Sequence, residues 1–433
     1  MKYEKIIAEI AGLADEAAAL FEEIATASHD GRGITRAAFG PNETMAGEVL
    51  KRFALKEGLD VSTDAVGNFH YDLQGDAPSK TVVIASHLDS VPVGGNFDGL
   101  AGVVAGVVVQ AACHRAGVCP SLNLKTIGFR CEESPWFGTA YIGSKLALGL
   151  LGQDELEGLK RFDTGKSLAI HLHEIGAISV ASDMRAQRLP VENIAAYLEL
   201  HIEQGPLLDD LELPVGVATA IRGNIRHPFA ACSGRYGHAA ASPRHLRSDA
   251  MTATARLIAA ADGFWADLLA EGGNDDLIIN FGIVATDPEQ HAMTKVPGDV
   301  RFSFNIGGTR NDVMDQLYRR IRNEAERLER EFRVSFDFGS RVGTEGIQLD
   351  PGLAQAARQS AKDLGIAMHS LPTVGHDAAM FAKLGVPTGM LLVRNQNGSH
   401  NPDEAMRISD FIAATKVLAL WAISPRANHK KTT

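Results

Sequence analysis

Histidine and acidic side chains that could bind a metal ion follow an early apolar segment of the chain. His87 and Asp98 lie on either side of a glycine-rich turn, and Asp89 stands two residues after His87. Neutral imidazole and carboxylate groups are ligands that zinc and related divalent ions accept. Asp89 is placed to accept a hydrogen bond from the other ring nitrogen of His87, which would fix the tautomer. For this segment alone, a solvated turn is the alternative.

Two adjacent acids, Glu132 and Glu133, follow a second apolar segment. Neighbouring carboxylates repel each other, which lowers stability unless a cation lies nearby. With a metal present, one carboxylate could be a ligand and the other a general base acting on water. Two exposed acids in a loop are the alternative interpretation.

Two further apolar segments end in the same way, at His201 within LELHIEQGP and at His400 within GSHNPDE. Any one of the four motifs could be incidental. Together they indicate a shared ligand, because four segments each end in a histidine or an acid.

The segments before these motifs have the composition of strands and alternate with helical patterns, such as the apolar run from Gly99 to Cys113. This order predicts an α/β domain with a mixed, mostly parallel sheet and helices on both faces. Such sheets collect functional residues at the carboxyl ends of their strands. The predicted strands are Lys80 to Ser86, Leu122 to Arg130, Ile194 to Leu200 and Pro387 to Val393.

The pattern changes near residue 213 and returns near residue 343. Between these points the order of elements is βαββαβ, starting with one strand-like run from Val215 to Ser233, and it predicts an inserted α+β domain. We therefore expect a discontinuous metal-binding domain, residues 1–212 and 343–433, and an inserted domain, residues 213–342.

The composition is that of a folded protein of two domains. The chain has 433 residues, of which 45% are hydrophobic and 22% charged, and this excludes a fibrous or wholly disordered protein. The formal net charge of −11 disfavours nucleic acid as a partner, because phosphate backbones are also negative. A small-molecule substrate is expected instead.

The location is predicted from the apolar segments and the cysteines. The most apolar run is shorter than the ~20 residues that cross a bilayer, and the N-terminal segment lacks the uninterrupted apolar core of a signal peptide. Four irregularly spaced cysteines are typical of free thiols in a reducing compartment. We therefore expect a cytoplasmic protein without a membrane partner.

Seven short motifs, in one order across nearly the whole chain, resemble a known family. They are SHLDS, GGNFDG, EES, LELHIEQGP, GHAAASP, VPG and GSHNPDE. The set resembles the hydantoinase/carbamoylase group of dinuclear metallohydrolases, which includes N-carbamoyl-L-amino acid hydrolases, allantoate amidohydrolase and β-ureidopropionase within the aminoacylase/carboxypeptidase clan. His201 favours the carbamoylase group, because peptidase relatives usually have an acid at that position.

The resemblance implies two divalent metal ions per subunit. It assigns His87, Asp98 and His201 to one ion, and Asp98, Glu133 and His400 to the other. Asp98 would then bridge the two ions. This ligand set contains no thiolate, so zinc is expected, with manganese, cobalt or nickel as alternatives.

The resemblance also implies roles for residues that are not ligands. Glu132 matches the general base, Asp89 the partner of His87, and Gln204 a substrate contact. His238 matches a histidine that reaches the active site of the partner subunit and stabilises the tetrahedral intermediate. The inserted domain would then be both a lid and the interface of a homodimer.

The chain departs from the family where relatives bind the substrate carboxylate. By spacing, Thr294 replaces an asparagine and Gly307 replaces an arginine, and the loss of a bidentate guanidinium is not conservative. Arg394 is the preferred substitute, because it lies close in sequence to His400. The other candidates are Arg222, Arg226 and Arg310.

These residues predict a metal-dependent hydrolase of a linear C–N bond, in an amide or a ureido (carbamoyl) group. An N-acyl-amino acid amidohydrolase or dipeptidase-like activity is the alternative, followed by a deaminase. A protein that binds a ligand without turnover is disfavoured, because neither a proposed ligand nor Glu132 is missing.

Overall fold

The structure is a computed structural model that describes residues 2–177, 188–273 and 275–423. The chain divides into two compact units, one from the described parts of residues 1–219 and 349–433 and the other from residues 220–348. The sequence analysis predicted the boundaries between the domains at residues 213 and 343. The first boundary lies later in the structure because the segment after residue 213 pairs with the sheet of the first unit.

The strands follow the chain in this order. They are β1 Asp60–Thr63, β2 Phe69–Leu73, β3 Ala77–His87, β4 Leu122–Phe129, β5 Ile194–Ile202, β6 Val215–Ile221, β7 Gly223–Ser233, β8 Gly237–His238, β9 Ile278–Thr286, β10 Lys295–Val296, β11 Asp299–Gly308, β12 Ser335–Asp337, β13 Val342–Thr344, β14 Ile347–Gln348, β15 Met368–Thr373, β16 Thr388–Val393, β17 Asn395–Gln396 and β18 Ala405–Met406.

The α-helices are numbered in the same way. They are α1 Lys2–Gly12, α2 Ala14–Ser28, α3 Pro41–Lys56, α4 Leu100–Arg115, α5 Ile142–Ala147, α6 Gln153–Gly158, α7 Leu168–Glu174, α8 Leu207–Asp210, α9 Ala250–Ala270, α10 Asn311–Phe332, α11 Pro351–Asp363, α12 Ala378–Lys383 and α13 Ile408–Ile423. Within the described ranges, no helix has both the length and the apolar character required to cross a membrane.

The sheet of the first unit has the strand order β1-β2-β4-β3-β5-β16-β6. The four central strands, β4, β3, β5 and β16, are parallel, and the pairs outside them are antiparallel. The mixed, mostly parallel sheet predicted from the sequence is therefore confirmed. In this register His87 lies opposite Phe129, and His201 lies opposite Leu392, so the strands end at one edge.

Helices cover both faces of this sheet. On one face α4 packs against β3, β4 and β5, and it approaches closely because Gly102 and Gly106 have no side chain. A Cβ at Gly102 would lie 2.1 Å from the Leu200 carbonyl oxygen. On the other face Phe381 of α12 stacks on Tyr197 of β5, with ring centroids 4.1 Å apart. Alternate residues of β5 thus enter opposite cores.

The second unit has an antiparallel sheet of order β12-β7-β11-β9, with β13 also paired to β7. Helices α9 and α10 pack against each other and against this sheet. Its long elements follow the order β7, α9, β9, β11, α10, β12. The core is rich in phenylalanine, with Phe302 in contact with the rings of Phe281, Phe304 and Phe336.

One predicted strand is wrong. The run from Val215 to Ser233 is two strands, since β6 pairs with β16 in the first unit and β7 pairs with β11 in the second. Only Arg222 separates the two strands, and β7 begins at Gly223, where a Cβ would lie 2.3 Å from the backbone nitrogen of Gly346. The prediction of free thiols is confirmed, because none of the four cysteines forms a disulfide.

Candidate active site

The carboxyl ends of the parallel strands bring together three groups of potential metal ligands. Two of them share Asp98, one with His87 and His201 and the other with Glu133 and His400, and the third consists of His87, Glu132 and Glu133. Within each group the nitrogen and oxygen atoms all lie within 4.8 Å of one another. The sharing of Asp98 is the arrangement in which one carboxylate can serve two cations.

His87 and His201 present the same ring nitrogen to Asp98. The Nδ1 atom of His87 lies 3.2 Å from the Asp89 carbonyl oxygen, and that of His201 lies 3.0 Å from the Ile202 carbonyl oxygen. A carbonyl only accepts hydrogen bonds, so Nδ1 carries the hydrogen in both rings. Both Nε2 atoms then carry a lone pair, as in a histidine ligand, and that of His201 accepts a hydrogen bond from the Gly99 amide at 3.1 Å.

Asp98 has an oxygen atom that lacks a hydrogen-bonding partner. The buried Oδ1 lies 3.4 Å from His87 Nε2 and 3.1 Å from His201 Nε2, and neither contact is a hydrogen bond. Burial acts to raise the pKa of Asp98, but His201, His400 and His87 outweigh it and hold the pKa well below its usual range. A buried ionised oxygen facing two imidazole nitrogens is a strong acceptor for a divalent cation.

Asp89 positions both neighbouring acids. Its Oδ1 accepts a hydrogen bond from the Glu132 amide at 3.0 Å, and its Oδ2 accepts one from the Glu133 amide at 3.1 Å. Oδ1 also lies 3.3 Å from Nδ1 of His87. Asp89 therefore fixes one histidine and the backbone of two acids at once.

Glu132 and Glu133 are almost completely buried. Burial is the largest influence on Glu132 and raises its pKa well above the usual value, opposed by His87 and supported by Glu133 and Asp377. Burial also raises the pKa of Glu133, opposed by His400. Only Glu133 is within reach of His400, with 3.2 Å between Oε1 and Nε2. The two adjacent acids therefore have different surroundings, as a ligand and a base require.

His400 is the most accessible of the potential ligands, because half of its side chain is exposed. Its Nε2 lies 3.3 Å from Asp98 Oδ2. Its φ is +60°, and φ is also positive at Cys131, directly before Glu132, and at Gln204, three residues after His201. L-residues seldom adopt this conformation, and such residues collect at functional sites. The backbone is thus unusual at three of the strand ends that carry the motifs.

Supporting residues that the sequence did not indicate lie around these groups. Glu404 accepts hydrogen bonds from the amides of Phe97 and Asp98. The fully buried Arg36 donates to the Leu88 carbonyl oxygen at 2.7 Å and to Asn96 Oδ1 at 3.0 Å, and so joins the two segments that carry His87 and Asp98. Glu404 ends the GSHNPDE motif, but no local pattern indicates the partners of either residue, because these partners are distant along the chain.

The predicted substrate contacts are placed as follows. Gln204 donates from Nε2 to Asp98 Oδ2 at 2.7 Å, so its amide lies at the ligand groups. His238 and Thr294 lie in the second unit, where His238 pairs with Lys295 and the Thr294 carbonyl accepts from the Ala239 amide. Both side chains are exposed.

Arg394 does not have the surroundings expected of a substrate anchor. Its Nε and Nη2 atoms donate to the two carboxylate oxygens of Asp410, at 2.8 and 3.1 Å. That fork is the one a substrate carboxylate would need, and Asp410 occupies it. We therefore correct this expectation and assign Arg394 to the ion pair with Asp410. Arg310 is likewise paired, with Asp312 at 2.6 Å.

The donor set fits divalent cations. In the described part of the chain the two groups that share Asp98 contain three imidazoles and two carboxylates, and the third group adds the Glu132 carboxylate. None contains a thiolate, and zinc, manganese, cobalt and nickel all accept such a set. The unpartnered Oδ1 of Asp98 marks one position at which a cation would have a ligand.

Comparisons with known proteins agree with this site. The profile of Peptidase family M20/M25/M40 matches residues 83–424. An N-carbamoyl-L-amino acid amidohydrolase from Geobacillus stearothermophilus is 33% identical over 407 residues, covering 90% of this chain and 94% of that protein. An allantoate amidohydrolase from Escherichia coli K12 is 27% identical over 393 residues, covering 90% and 92%. A crystal structure of an amidase of the hydantoinase/carbamoylase family from Burkholderia multivorans has a TM-score of 0.84 at 25% identity, covering 95% of this chain and 98% of that one. The family resemblance indicated by the motifs is confirmed.

Proposed function

Because the chain belongs to Peptidase family M20/M25/M40, we propose that it is a metal-dependent hydrolase of a linear C–N bond in the carbamoyl or ureido group of a small molecule. The observation that carries this proposal is the unpartnered Asp98 Oδ1 between His87 and His201. The two amidohydrolases to which the chain is similar are named for N-carbamoyl-L-amino acids and allantoate. These compounds share the group that we propose as the substrate.

We propose two cations per subunit, held by the two ligand groups with Asp98 shared. Zinc is the first candidate, and manganese, cobalt and nickel are the alternatives. When bound, such ions supply Lewis acidity for the scissile carbonyl and lower the pKa of water towards neutrality.

Glu132 is proposed as the general base. It is buried beside Glu133 and is outside the two groups that share Asp98, although it forms a third group with His87 and Glu133. Its proposed role is to accept a proton from water and return it to the leaving nitrogen. A raised pKa brings a carboxylic acid nearer to the working pH, which suits a group that must both accept and release a proton. Asp89 holds the Glu132 amide and so limits movement of this residue.

Gln204, His238 and Thr294 remain proposed substrate contacts. For His238 the proposed role is to donate a hydrogen bond to the oxyanion, for which a well-placed donor contributes about 3 kcal/mol. The resemblance assigns it to the site of a second subunit, so the role requires a homodimer formed through the inserted domain. In that unit β9 has an outer edge without a paired strand among the described residues, and it exposes Ile283 at 58% and Val284 at 42%. Apolar edge strands favour pairing with another chain.

A size-exclusion or sedimentation measurement would test the dimer separately from catalysis. Ile283→Lys is expected to favour the monomer, whereas Arg327→Lys on the surface of α10 leaves the assembly unchanged.

A cytoplasmic location also remains a proposal, supported by the four cysteines without disulfides.

The activity is tested on metal-free protein reconstituted separately with zinc, manganese, cobalt and nickel. The substrates are N-carbamoyl amino acids of both configurations, ureido compounds without an α-carboxylate, N-acyl amino acids and dipeptides. Ammonia, carbon dioxide and carboxylic acid are all quantified. We expect a carbamoyl or ureido compound to release ammonia, carbon dioxide and an amine.

The other outcomes identify the alternatives. Release of a carboxylic acid without ammonia indicates an N-acyl-amino acid amidohydrolase or a dipeptidase, and ammonia without carbon dioxide indicates a deaminase. Cation binding without turnover of any compound contradicts the proposal. The ureido compounds without a carboxylate are included because Gly307 and Thr294 replace the expected anchor residues and Arg394 is paired with Asp410.

A further inference from the structure

Glu404 is a buried acid that holds the backbone on which Asp98 is placed. Its Oε1 accepts hydrogen bonds from the consecutive amides of Phe97, at 2.8 Å, and Asp98, at 3.2 Å. Its side chain is packed against Gly95, where a Cβ would lie 2.2 Å from Glu404 Cδ. The second glycine of the GGNFDG motif therefore leaves the space that Glu404 fills.

Ser399 connects Glu404 to the side chain of Asp98. Its hydroxyl lies 2.9 Å from Glu404 Oε2 and donates a hydrogen bond to Asp98 Oδ2. Glu404 thus reaches the backbone of Asp98 directly and the carboxylate of Asp98 through one hydroxyl. These contacts restrict both ends of the same residue.

The orientation of Asp98 decides whether its two oxygens serve different groups. Oδ1 faces His87 and His201, and Oδ2 faces His400. A rotation about the side-chain torsions would turn Oδ1 away from the two histidines. The buried ionised oxygen without a hydrogen-bonding partner gives no restraint of its own. The restraint must come from the backbone and from Oδ2, which accepts from Gln204 Nε2 at 2.7 Å as well as from Ser399.

We infer that Glu404 and Ser399 are positioning residues, which hold Asp98 in the one orientation that offers an oxygen atom to each of two cations. The inference rests on the proposed function, because it assumes that Asp98 is a shared ligand. Partners of this kind, next to a ligand, typically change metal affinity about 10–100-fold when removed.

The experiment compares cation binding by folded, metal-free variants. Cobalt(II) is titrated and followed by calorimetry and by the visible absorption of the bound ion, which reports coordination without any turnover. Ser399→Ala removes only the hydroxyl, and Glu404→Ala removes the contacts to both amides. Both are expected to weaken cobalt binding about 10–100-fold and to change the absorption spectrum at saturation.

Glu404→Gln is the conservative variant. Its amide oxygen can still accept from the two backbone amides, and its NH2 group can face the Ser399 hydroxyl. It is expected to restore cobalt binding and the absorption spectrum close to those of the unchanged protein.

The control variants are matched in burial and residue type. Glu57→Ala removes another acid that is 7% exposed, paired with Arg115, and Ser360→Ala removes a buried hydroxyl that bonds its own helix. Both are expected to bind cobalt normally. Weakening by Glu57→Ala equal to that by Glu404→Ala would show a general stability effect and overturn the positioning role.

The two proposals can fail separately. If the folded, unchanged protein binds no cobalt, both are wrong. If it binds cobalt and Asp98→Ala abolishes binding, but Ser399→Ala and Glu404→Ala bind as the unchanged protein does, the proposed function stands and the positioning role is wrong. Ser399→Ala keeps the test valid if Glu404→Ala does not fold.

Discussion

The two units differ in whether they bury acidic side chains. The first unit buries many acids near the strand ends, among them Asp89, Asp98, Glu132, Glu133, Glu199 and Asp377. In the second unit, the polar residues buried among those described are His227, Ser248 and Thr254, and none is an acid. Its ion pairs, such as that between Arg327 and Glu331, lie on exposed helix surfaces.

This difference separates residues that maintain a fold from residues that maintain a site. Burying a carboxylate is unfavourable unless it is paired or bound to a metal. The second unit is folded around apolar side chains without such groups. In the first unit some buried acids are paired with arginines, such as Glu57 and Asp410, and we explain Asp98 and Glu133 by the cations that they would bind.

The largest expected effect is on catalysis. Glu132→Gln removes the proposed base, and we expect kcat to fall about 10²–10⁴-fold while the bound metal, measured by elemental analysis, is unchanged. The matched control is Glu326→Gln on the exposed surface of α10. If Glu132→Gln and Glu326→Gln had equal kcat values, the buried acid of the first unit would be no more important for catalysis than an exposed acid of the second.

The largest expected effect on stability is in the second unit. Phe302 is 1% exposed and contacts several aromatic rings, so Phe302→Ala should lower the free energy of unfolding by about 3–5 kcal/mol. Denaturant unfolding measures this change, and cobalt binding by the folded variant should be unaltered. A loss of cobalt binding comparable to that of Asp98→Ala would contradict the separation of fold from site.

Removing the cations should destabilise the first unit alone. A ligand that binds only the folded protein stabilises it by about 2.7 kcal/mol when present at 100 times its dissociation constant. Hydrogen exchange before and after chelation should show faster exchange for the amides of Glu132 and Asp98, whereas the amides of β11 are unaffected. Uniform acceleration in both units would disprove this localisation.

The smallest expected effect concerns the exposed charges of the second unit. Arg327 pairs with Glu324 and Glu331 on one face of α10, and exposed ion pairs contribute little to stability. Arg327→Ala should therefore leave the unfolding midpoint close to that of the unchanged protein. A midpoint shift as large as that of Phe302→Ala would show that surface charge also maintains this unit.

Residue types and strand ends predicted much of the first unit. The mostly parallel sheet follows from alternating strand and helix patterns, and the structure brings together the six residues at the strand ends: His87, Asp98, Glu132, Glu133, His201 and His400. These positions were accessible from sequence because parallel strands end at a common edge. The division between β6 and β7 was not, because a single residue, Arg222, separates the two strands and no turn sequence marks it.

Contacts between distant segments could not be predicted. Glu404 accepts hydrogen bonds from the amides of Phe97 and Asp98, and no local sequence pattern predicts these contacts. Arg394 shows the opposite error, because proximity in sequence to His400 suggested a substrate contact, whereas the side chain turns to Asp410. Sequence distance predicts neither partner, because the direction of a side chain depends on packing.

The hydrogen bond between Phe97 and Glu404 spans 307 residues of the chain. At a translation rate of about 5–20 residues per second, the loop that carries Asp98 is synthesised roughly 15–60 s before the segment that holds it. During that interval the loop of a nascent chain that carries Asp98 would lack its hydrogen bonds to Glu404. The proposed cation sites are therefore complete only after residue 404 has been synthesised.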